Sequence, residues 1–250
     1  MIPASRTFRV FALALLLLLT LLATAPARLL GLILPPEMIV MQGFGGTLWR
    51  GTASRCLVQT PAGLLHLGVV QWRLNPWSLV MFAPRISLDS AWGSQSFTTE
   101  LVLRGEQDID MTALEATFPA GLLSQFAPVE LAGLLQVQLE YLVLREGVPT
   151  QGKGRLVWLD GGWDSPTGPL PLGTYALDFA QAPDAPLQGE VLTLAGDVSA
   201  QGSVELAGKS YGIDITVQSA AGLDQRLQQA LSLMARPVEQ GYRIKLSGSF

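Results

Sequence analysis

The sequence predicts a mainly β protein: an antiparallel, twisted or curved sheet with two short covering helices, plus one N-terminal transmembrane helix. Three observations carry this expectation. An apolar run lies near the start, and almost everything after it shows two-residue alternation of apolar and polar residues. The alternating runs are separated by clusters of Gly, Pro, Asn and Asp. Alternation gives a strand one apolar face, and the cluster residues supply the positive or fixed φ that tight turns need.

The apolar run covers residues 10–27, interrupted only by Thr20 and Thr24, with Pro26 at its end. At about 18 residues it is just long enough to span a bilayer. Arg6 and Arg9 precede it, Arg28 follows it, and the first acidic residue is Glu37. The excess of positive charge before the run places residues 1–9 in the cytoplasm and 28–250 beyond the membrane. A cleaved signal peptide is the alternative, cut after Ala23-Thr24-Ala25 or Ala25-Pro26-Ala27. A signal usually has a shorter apolar core, about 7–15 residues, and Pro26 directly after the first cut suits a peptidase poorly. The retained anchor is therefore preferred, and both readings export the remainder.

Strands are expected where the alternation is sustained. Val70, Trp72 and Leu74 alternate with Gln71 and Arg73, and Leu135, Val137, Leu139, Tyr141 and Val143 with Gln136, Gln138 and Glu140. Tyr175, Leu177 and Phe179, then Tyr211, Ile213, Ile215 and Val217, then Tyr242, Ile244 and Leu246 repeat the pattern. Turns are expected at Asn75-Pro76, Asp160-Gly161-Gly162 and Gly208-Lys209. Two helices interrupt the strands. Thr112-Ala113-Leu114-Glu115 has the form of a capping box, so a helix is expected to start there, with Pro119 kinking or dividing it before Phe126. Leu223, Leu227, Ala230, Leu231 and Met234 recur at helical spacing, with Pro237 as the stop. Trp72 and Trp77 share a spacing of five with Trp158 and Trp163. That echo suggests two related halves of the 28–250 region, with a soft boundary near 110–128.

The chain has 250 residues, enough beyond the apolar run for a sizeable core. Net charge is −4, and no Lys/Arg cluster forms a phosphate-binding stripe, which argues against a nucleic-acid partner. Charged residues make up only 14% and hydrophobic residues 49%, a balance that suits sheet faces covered by helix, partner or lipid. The lone Cys56 allows no internal disulfide and reads as a small buried hydrophobe.

Catalytic chemistry finds no foothold. His66 is the only histidine, lies between Leu65 and Leu67, and is accompanied by no nucleophile motif. One His and one Cys exclude a His/Cys zinc cluster. The segment 147–153 resembles a phosphate-binding loop but has Gly154 where a hydroxyl is needed, and 203–210 begins with Ser203 instead of Gly. Strand-like sequence follows both, where the true motif requires a helix, so both read as hairpin turns. The pairs Asp108/Asp110 and Asp160/Asp164 match no calcium loop. No catalytic, cofactor-binding or metal-ligating residue is assigned.

The tryptophans and glycines left over carry a resemblance. Gly45-Gly46-Thr47-Leu48-Trp49-Arg50-Gly51-Thr52-Ala53 follows the apolar run, and 70–79 reads VQWRLNPWSL. Further on come Gly154-Arg155-Leu156-Val157-Trp158, Leu172-Gly173-Thr174-Tyr175 and Pro237-Val238-Glu239-Gln240-Gly241-Tyr242-Arg243-Ile244. Together these resemble protein N of the type II secretion system, the general secretory pathway. The resemblance implies a single-span protein of the bacterial inner membrane with a periplasmic β domain, accessory to the export of folded proteins across the outer membrane. It implies other inner-membrane secretion subunits as partners, and brings no catalytic residue with it. Gly45, Gly46 and Gly51 would permit a bend around Leu48-Trp49. Trp49, Trp72, Trp77, Trp158 and Trp163 stand as core or interface aromatics, core being favoured for Trp49, Trp72 and Trp158.

Two other functions fit the same residues. The C-terminal alternation of Tyr242, Ile244, Leu246, Gly248 and Phe250 would suit an outer-membrane β-barrel with a cleaved signal. A curved sheet with an apolar face would also suit a lipid-handling protein shielding acyl chains.

Overall fold

The computed structural model describes residues 6–35, 37–60, 63–105, 107–125, 130–165, 167–183 and 185–249. It begins with helix α1, Arg6–Ala23, formed by an unbroken run of good helix formers. Every described side chain from Phe8 to Thr24 is exposed. The helix falls short of the span expected over 10–27. At 1.5 Å per residue it is about 27 Å long, it opens with Arg6 and Arg9, and Pro26 lies just beyond its end. Among the described residues no helix is long and apolar enough to cross a membrane. A 3-10 turn, Ala27–Leu29, and the four-residue α2, Leu30–Ile33, lead on to the sheet.

The rest is one antiparallel sheet in which each strand pairs with the one before it. The first five strands are β1 (Ile39–Gly46), β2 (Arg50–Thr60), β3 (Gly63–Leu74), β4 (Arg85–Trp92) and β5 (Gln95–Leu103). In the middle come β6 (Ile109–Pro119) and then the three longest, β7 (Leu131–Arg145), β8 (Val148–Ser165) and β9 (Gly168–Gln181). Then come β10 (Leu187–Ala195), β11 (Ser199–Ala207), β12 (Ser210–Gln218), β13 (Arg236–Val238) and β14 (Gly241–Ser249). The only departure from sequence order is at the end, where β14 pairs with β12 and the short β13 forms the outer edge. The sheet is open, with β1 at one edge and β13 at the other, so the chain does not form the barrel that its alternating C-terminus would suit.

Register aligns the alternation of separate strands into continuous rows. On one face Phe44, Ala53, Val70, Ser90, Phe97 and Ala116 pair in turn across β1 to β6. The row continues through Val137, Leu156, Leu177, Val191, Gly202, Ile215 and Ile244 to β14. Ser90 is its one polar member, buried with its hydroxyl donating to the Leu67 carbonyl at 2.6 Å. The neighbouring row, on the opposite face because side chains alternate, runs Thr52, Gln71, Asp89, Thr98, Glu115 and Gln138. It goes on through Arg155, Asp178, Glu190, Ser203, Asp214 and Lys245. One face is thus apolar and the other polar along nearly the whole sheet.

The predicted strands form as alternation implies, and the second predicted helix appears as α4, Gln225–Ser232. Leu227 and Leu231 are its buried residues, and Asp224 caps it by accepting from the Arg226 amide at 2.8 Å. Three expectations are corrected. The segment Thr112–Glu115 is not a helix start but lies inside β6, because β5 and β7 on either side satisfy its backbone. Ala113 takes φ +50° where the β5–β6 register shifts, and only the 3-10 turn Ala120–Gln125 follows. Asp160-Gly161-Gly162 is not a turn but a bulge within β8, with Asp160 at φ +47°. Asn75-Pro76 opens a short helix, α3 (Pro76–Val80), with Asn75 as its cap and Pro76 at the first position, where a missing amide costs nothing. Trp72 and Trp77 therefore fall in β3 and α3, whereas Trp158 and Trp163 share β8.

Candidate interaction surfaces

The junction between α1 and the sheet is built by two tryptophans. Trp49 lies in the turn between β1 and β2, and its Nε1–H donates to the carbonyl of Leu22 in the last turn of α1 at 2.8 Å. The Leu48 amide donates to the Ala25 carbonyl at 2.8 Å, a second tie across the same junction. Trp72, only 4% exposed, donates from Nε1 to the Leu48 carbonyl at 3.0 Å. Around it Ala27 and Ala53 are buried, with Leu30, Met41, Phe44, Ile86 and Leu88 packed against them. Gly51 makes this close approach feasible, since a Cβ there would stand 2.4 Å from the Trp72 ring. Leu48-Trp49 is thus the turn itself rather than a strand bent by the flanking glycines.

A second apolar centre lies under the 3-10 turn Ala120–Gln125. Leu123 from that turn closes over Leu131, Leu135, Leu156, Trp158, Tyr175 and Val191, leaving a cavity of about 180 Å³. Trp158 donates to the Ala132 carbonyl at 2.9 Å, and its ring stands 5.7 Å from that of Tyr175. The Tyr175 hydroxyl donates to the Val198 carbonyl at 2.8 Å, and burial pushes its pKa up to about 12. Trp163, further along β8, is half-buried opposite Leu131 and Leu170. Trp77 stands apart from the other four, 80% exposed on α3.

The polar face carries a hollow of about 1210 Å³ across β6 to β11, whose lining includes Glu115, Glu140, Lys153, Arg155, Asp178 and Glu190. Four of these charges are paired across strands. Arg155 clamps Asp178 with two hydrogen bonds, holding that carboxyl below its usual range, and Lys153 meets Glu140 at 2.8 Å. Such mutual neutralisation fits a solvated sheet face rather than a reacting centre.

The remaining sequence candidates fall in separate places. His66 lies in β3, its Nδ1 accepting from the Gly68 amide at 3.1 Å and its ring 4.4 Å from Trp92. Cys56 is buried at a register shift of β2, and desolvation raises its pKa. Both phosphate-loop look-alikes straddle hairpins, with 148–153 in β8 and 203–207 in β11. Glu146-Gly147 turn between β7 and β8 at φ +51° and +75°, and Gly208-Lys209 join β11 to β12. Asp108 accepts from the Glu146 amide at 2.9 Å. Asp110 lies 2.5 Å from Arg104 and 2.7 Å from Arg145. Burial pushes its pKa up, but the two guanidinium groups outweigh that and hold it below the usual carboxylate range. Asp160 and Asp164 lie in the β8 bulge and the strand end. Among the described residues no three His, Cys, Asp or Glu side chains converge to hold a metal.

Sequence reasoning missed Trp92, 50% exposed, and the apolar tip that follows Trp77: Val80, Met81 and Phe82 are 71%, 80% and 90% exposed. Their signal was present. Asn75 as a cap with Pro76 behind it marks a helix start, and the apolar run beyond it has no strand alternation.

An apolar helix pinned to one open, sequentially paired β-sheet, with polar groups dispersed among the described residues, defines a mainly β protein. The chain belongs to the family described as Type II secretion system (T2SS), protein N, which matches residues 37–245. It is 27% identical over 238 residues to the type II secretion system protein N of Aeromonas hydrophila, covering 88% of this chain and 89% of that one. It is 28% identical over 221 residues to the protein of the same name from Vibrio cholerae serotype O1, covering 82% of each. No solved structure matches. The resemblance carried by the Gly45–Ala53 and 70–79 segments is thereby established.

Proposed function

We propose that this chain is an accessory part of the type II secretion apparatus that works without chemistry of its own. The whole apolar run 10–27, which continues past the end of α1, holds it in the bacterial inner membrane as a single span, with residues 28–250 in the periplasm, and contacts through that segment and the sheet edges join it to other inner-membrane secretion subunits. The observation that carries this reading is α1 itself: an apolar helix exposed from Phe8 to its end yet fastened to the folded sheet by Trp49 and the Leu48 amide. An exposed surface so apolar is stable only in lipid or against an apolar partner. Family membership supplies the machinery.

The test is purification from cells carrying the whole secretion system. Extraction in mild detergent is expected to recover the chain from the inner-membrane fraction together with secretion subunits. Recovery in the soluble periplasmic fraction, or alone, would count against the reading. A second reading is favoured by the continuous apolar row from Phe44 to Ile244: the sheet shields lipid acyl chains along that face. Native mass spectrometry of gently extracted protein tests it, and absence of bound lipid at stoichiometric level rejects it.

A further inference from the structure

The connection between β3 and β4 is built to hold apolar side chains out in solvent. Ser78 is its inward residue, 6% exposed, donating from Oγ to the Asn75 carbonyl at 2.6 Å and accepting from the Arg85 amide at 2.8 Å. The Asn75 side chain accepts from the Trp77 amide at 3.1 Å, and the Ala83 amide closes the loop on the Ser78 carbonyl at 3.1 Å. With Ser78 turned inward, Trp77, Val80 and Met81 occupy the opposite side of the helical turn, at the i, i+3, i+4 spacing of one helix face. Phe82 then takes φ +54°, a conformation that strains a bulky residue, and is 90% exposed. A loop cross-braced in this way does not fold its apolar tip away.

Its position relates the tip to α1. The Leu74 amide, one residue before the Asn75 cap, donates to the Trp49 carbonyl at 2.8 Å, and Trp49 in turn donates to Leu22 of α1. The base of the tip is therefore joined, through Trp49, to the end of the helix. Arginines gather at the same end. Arg28 follows α1, Arg85 follows the tip, and Arg50 and Arg73 are paired directly across β2 and β3. All four are exposed, and only Arg73 has an ion-pair partner among the described residues, Asp89 at 3.6 Å. Asp89 partly offsets the Arg50–Arg73 pair, and the guanidinium groups of Arg28, Arg50 and Arg85 are left for an external counter-charge to meet.

We propose that the α3 tip is a second membrane contact: Trp77, Val80, Met81 and Phe82 enter the headgroup zone of a phospholipid bilayer beside α1, while the four arginines face lipid phosphates. The inference rests on α1 being the anchor. Continuity with that helix and complementarity to an anionic surface select lipid over protein as the occupant, since aromatic residues and arginines together are what an interfacial zone accommodates.

The test uses the full chain reconstituted in vesicles of phosphatidylethanolamine and phosphatidylglycerol, spin-labelled at single introduced cysteines. Met81→Cys reports the tip, Leu16→Cys reports α1, and Ser94→Cys, in the turn at the opposite strand ends, reports water. Buried Cys56 is left in place, with an otherwise unsubstituted chain measuring its labelling. The ratio of oxygen to nickel-chelate accessibility is expected to be several-fold higher at Met81→Cys than at Ser94→Cys. A ratio equal to that of Ser94→Cys, while Leu16→Cys reads as lipid, overturns the tip contact and leaves the anchor standing. An aqueous Leu16→Cys overturns the anchor and this inference with it. Shielding of Met81→Cys from both reagents assigns the tip to a protein partner or a second copy and overturns the lipid assignment.

Discussion

Among single residues the tryptophans divide by what surrounds them, and only part of that division was legible in the sequence. Trp49 sits in a glycine-flanked segment, and Gly51 of that segment allows the ring of Trp72 to press on it. Trp77 has the same chemistry but follows an Asn-Pro helix start, so it points outward. Trp72→Ala is expected to destabilise the folded chain by about 3–5 kcal/mol, because it empties a closed site and strands the Leu48 carbonyl. Trp77→Ala should change stability by no more than about 0.5 kcal/mol. Denaturant titration of the two variants against the parent measures the contrast, and equal losses would contradict the placement of both. Asp110 escaped sequence reasoning as a structural charge because its partners, Arg104 and Arg145, come from the ends of β5 and β7. Its pKa is lowered on folding, so the stability it gives is present above the unfolded carboxylate value, about 3.9. That stability is lost as pH falls through the lower folded value. Asp110→Asn should cost about 1 kcal/mol near neutrality, given how exposed both arginines are, and the cost should vanish in acid below the folded value. Melting curves across that range check the sign.

At the scale of elements, local signals succeeded where no neighbouring strand competed for the same backbone. α4 follows its sequence pattern because Leu227 and Leu231 find a surface to bury against and Asp224 is free to cap. The similar capping signal at Thr112 and Glu115 lost to β5 and β7, which pair with that segment on both sides. The alternation of Leu114, Ala116 and Phe118 against Glu115 and Thr117 was the stronger signal there, since tertiary pairing overrides a local preference of this size. The bulge at Asp160 is a similar lesson: Asp-Gly-Gly permits a turn, but here the strand absorbs the positive φ and continues to Trp163. Asp224→Ala is expected to lower stability by about 1 kcal/mol through loss of the α4 cap. Protection of the α4 amides from hydrogen exchange should fall with it, and unchanged protection would mean that packing alone holds the helix.

For the whole molecule, the sheet class was readable from alternation, but its order was not, since any antiparallel arrangement would give the same periodicity. What register adds is the alignment of Val70, Val137, Leu177 and Ile215 into one row, although they are far apart in sequence. A sheet in which each strand touches mainly its neighbours behaves as a nearly one-dimensional stack, so stability should vary along it. β7, β8 and β9, with 15, 18 and 14 residues, are the longest, while β13 has 3 and β14 has 9. Hydrogen exchange is expected to be slowest in β7–β9 and to quicken toward β13 and β14, and uniform protection would refute the stack. The same pairing order bears on how the chain is made. Through β12 a strand's first partner is the one synthesised just before it, so a polypeptide emerging from its N-terminal end can zip into the sheet without waiting for distant sequence. β13 and β14 break this rule, since β14 docks on β12 and β13 must hold off until β14 can receive it. Folding can therefore keep pace with arrival, leaving, besides the β1 edge, one growing edge at a time to be guarded from aggregation.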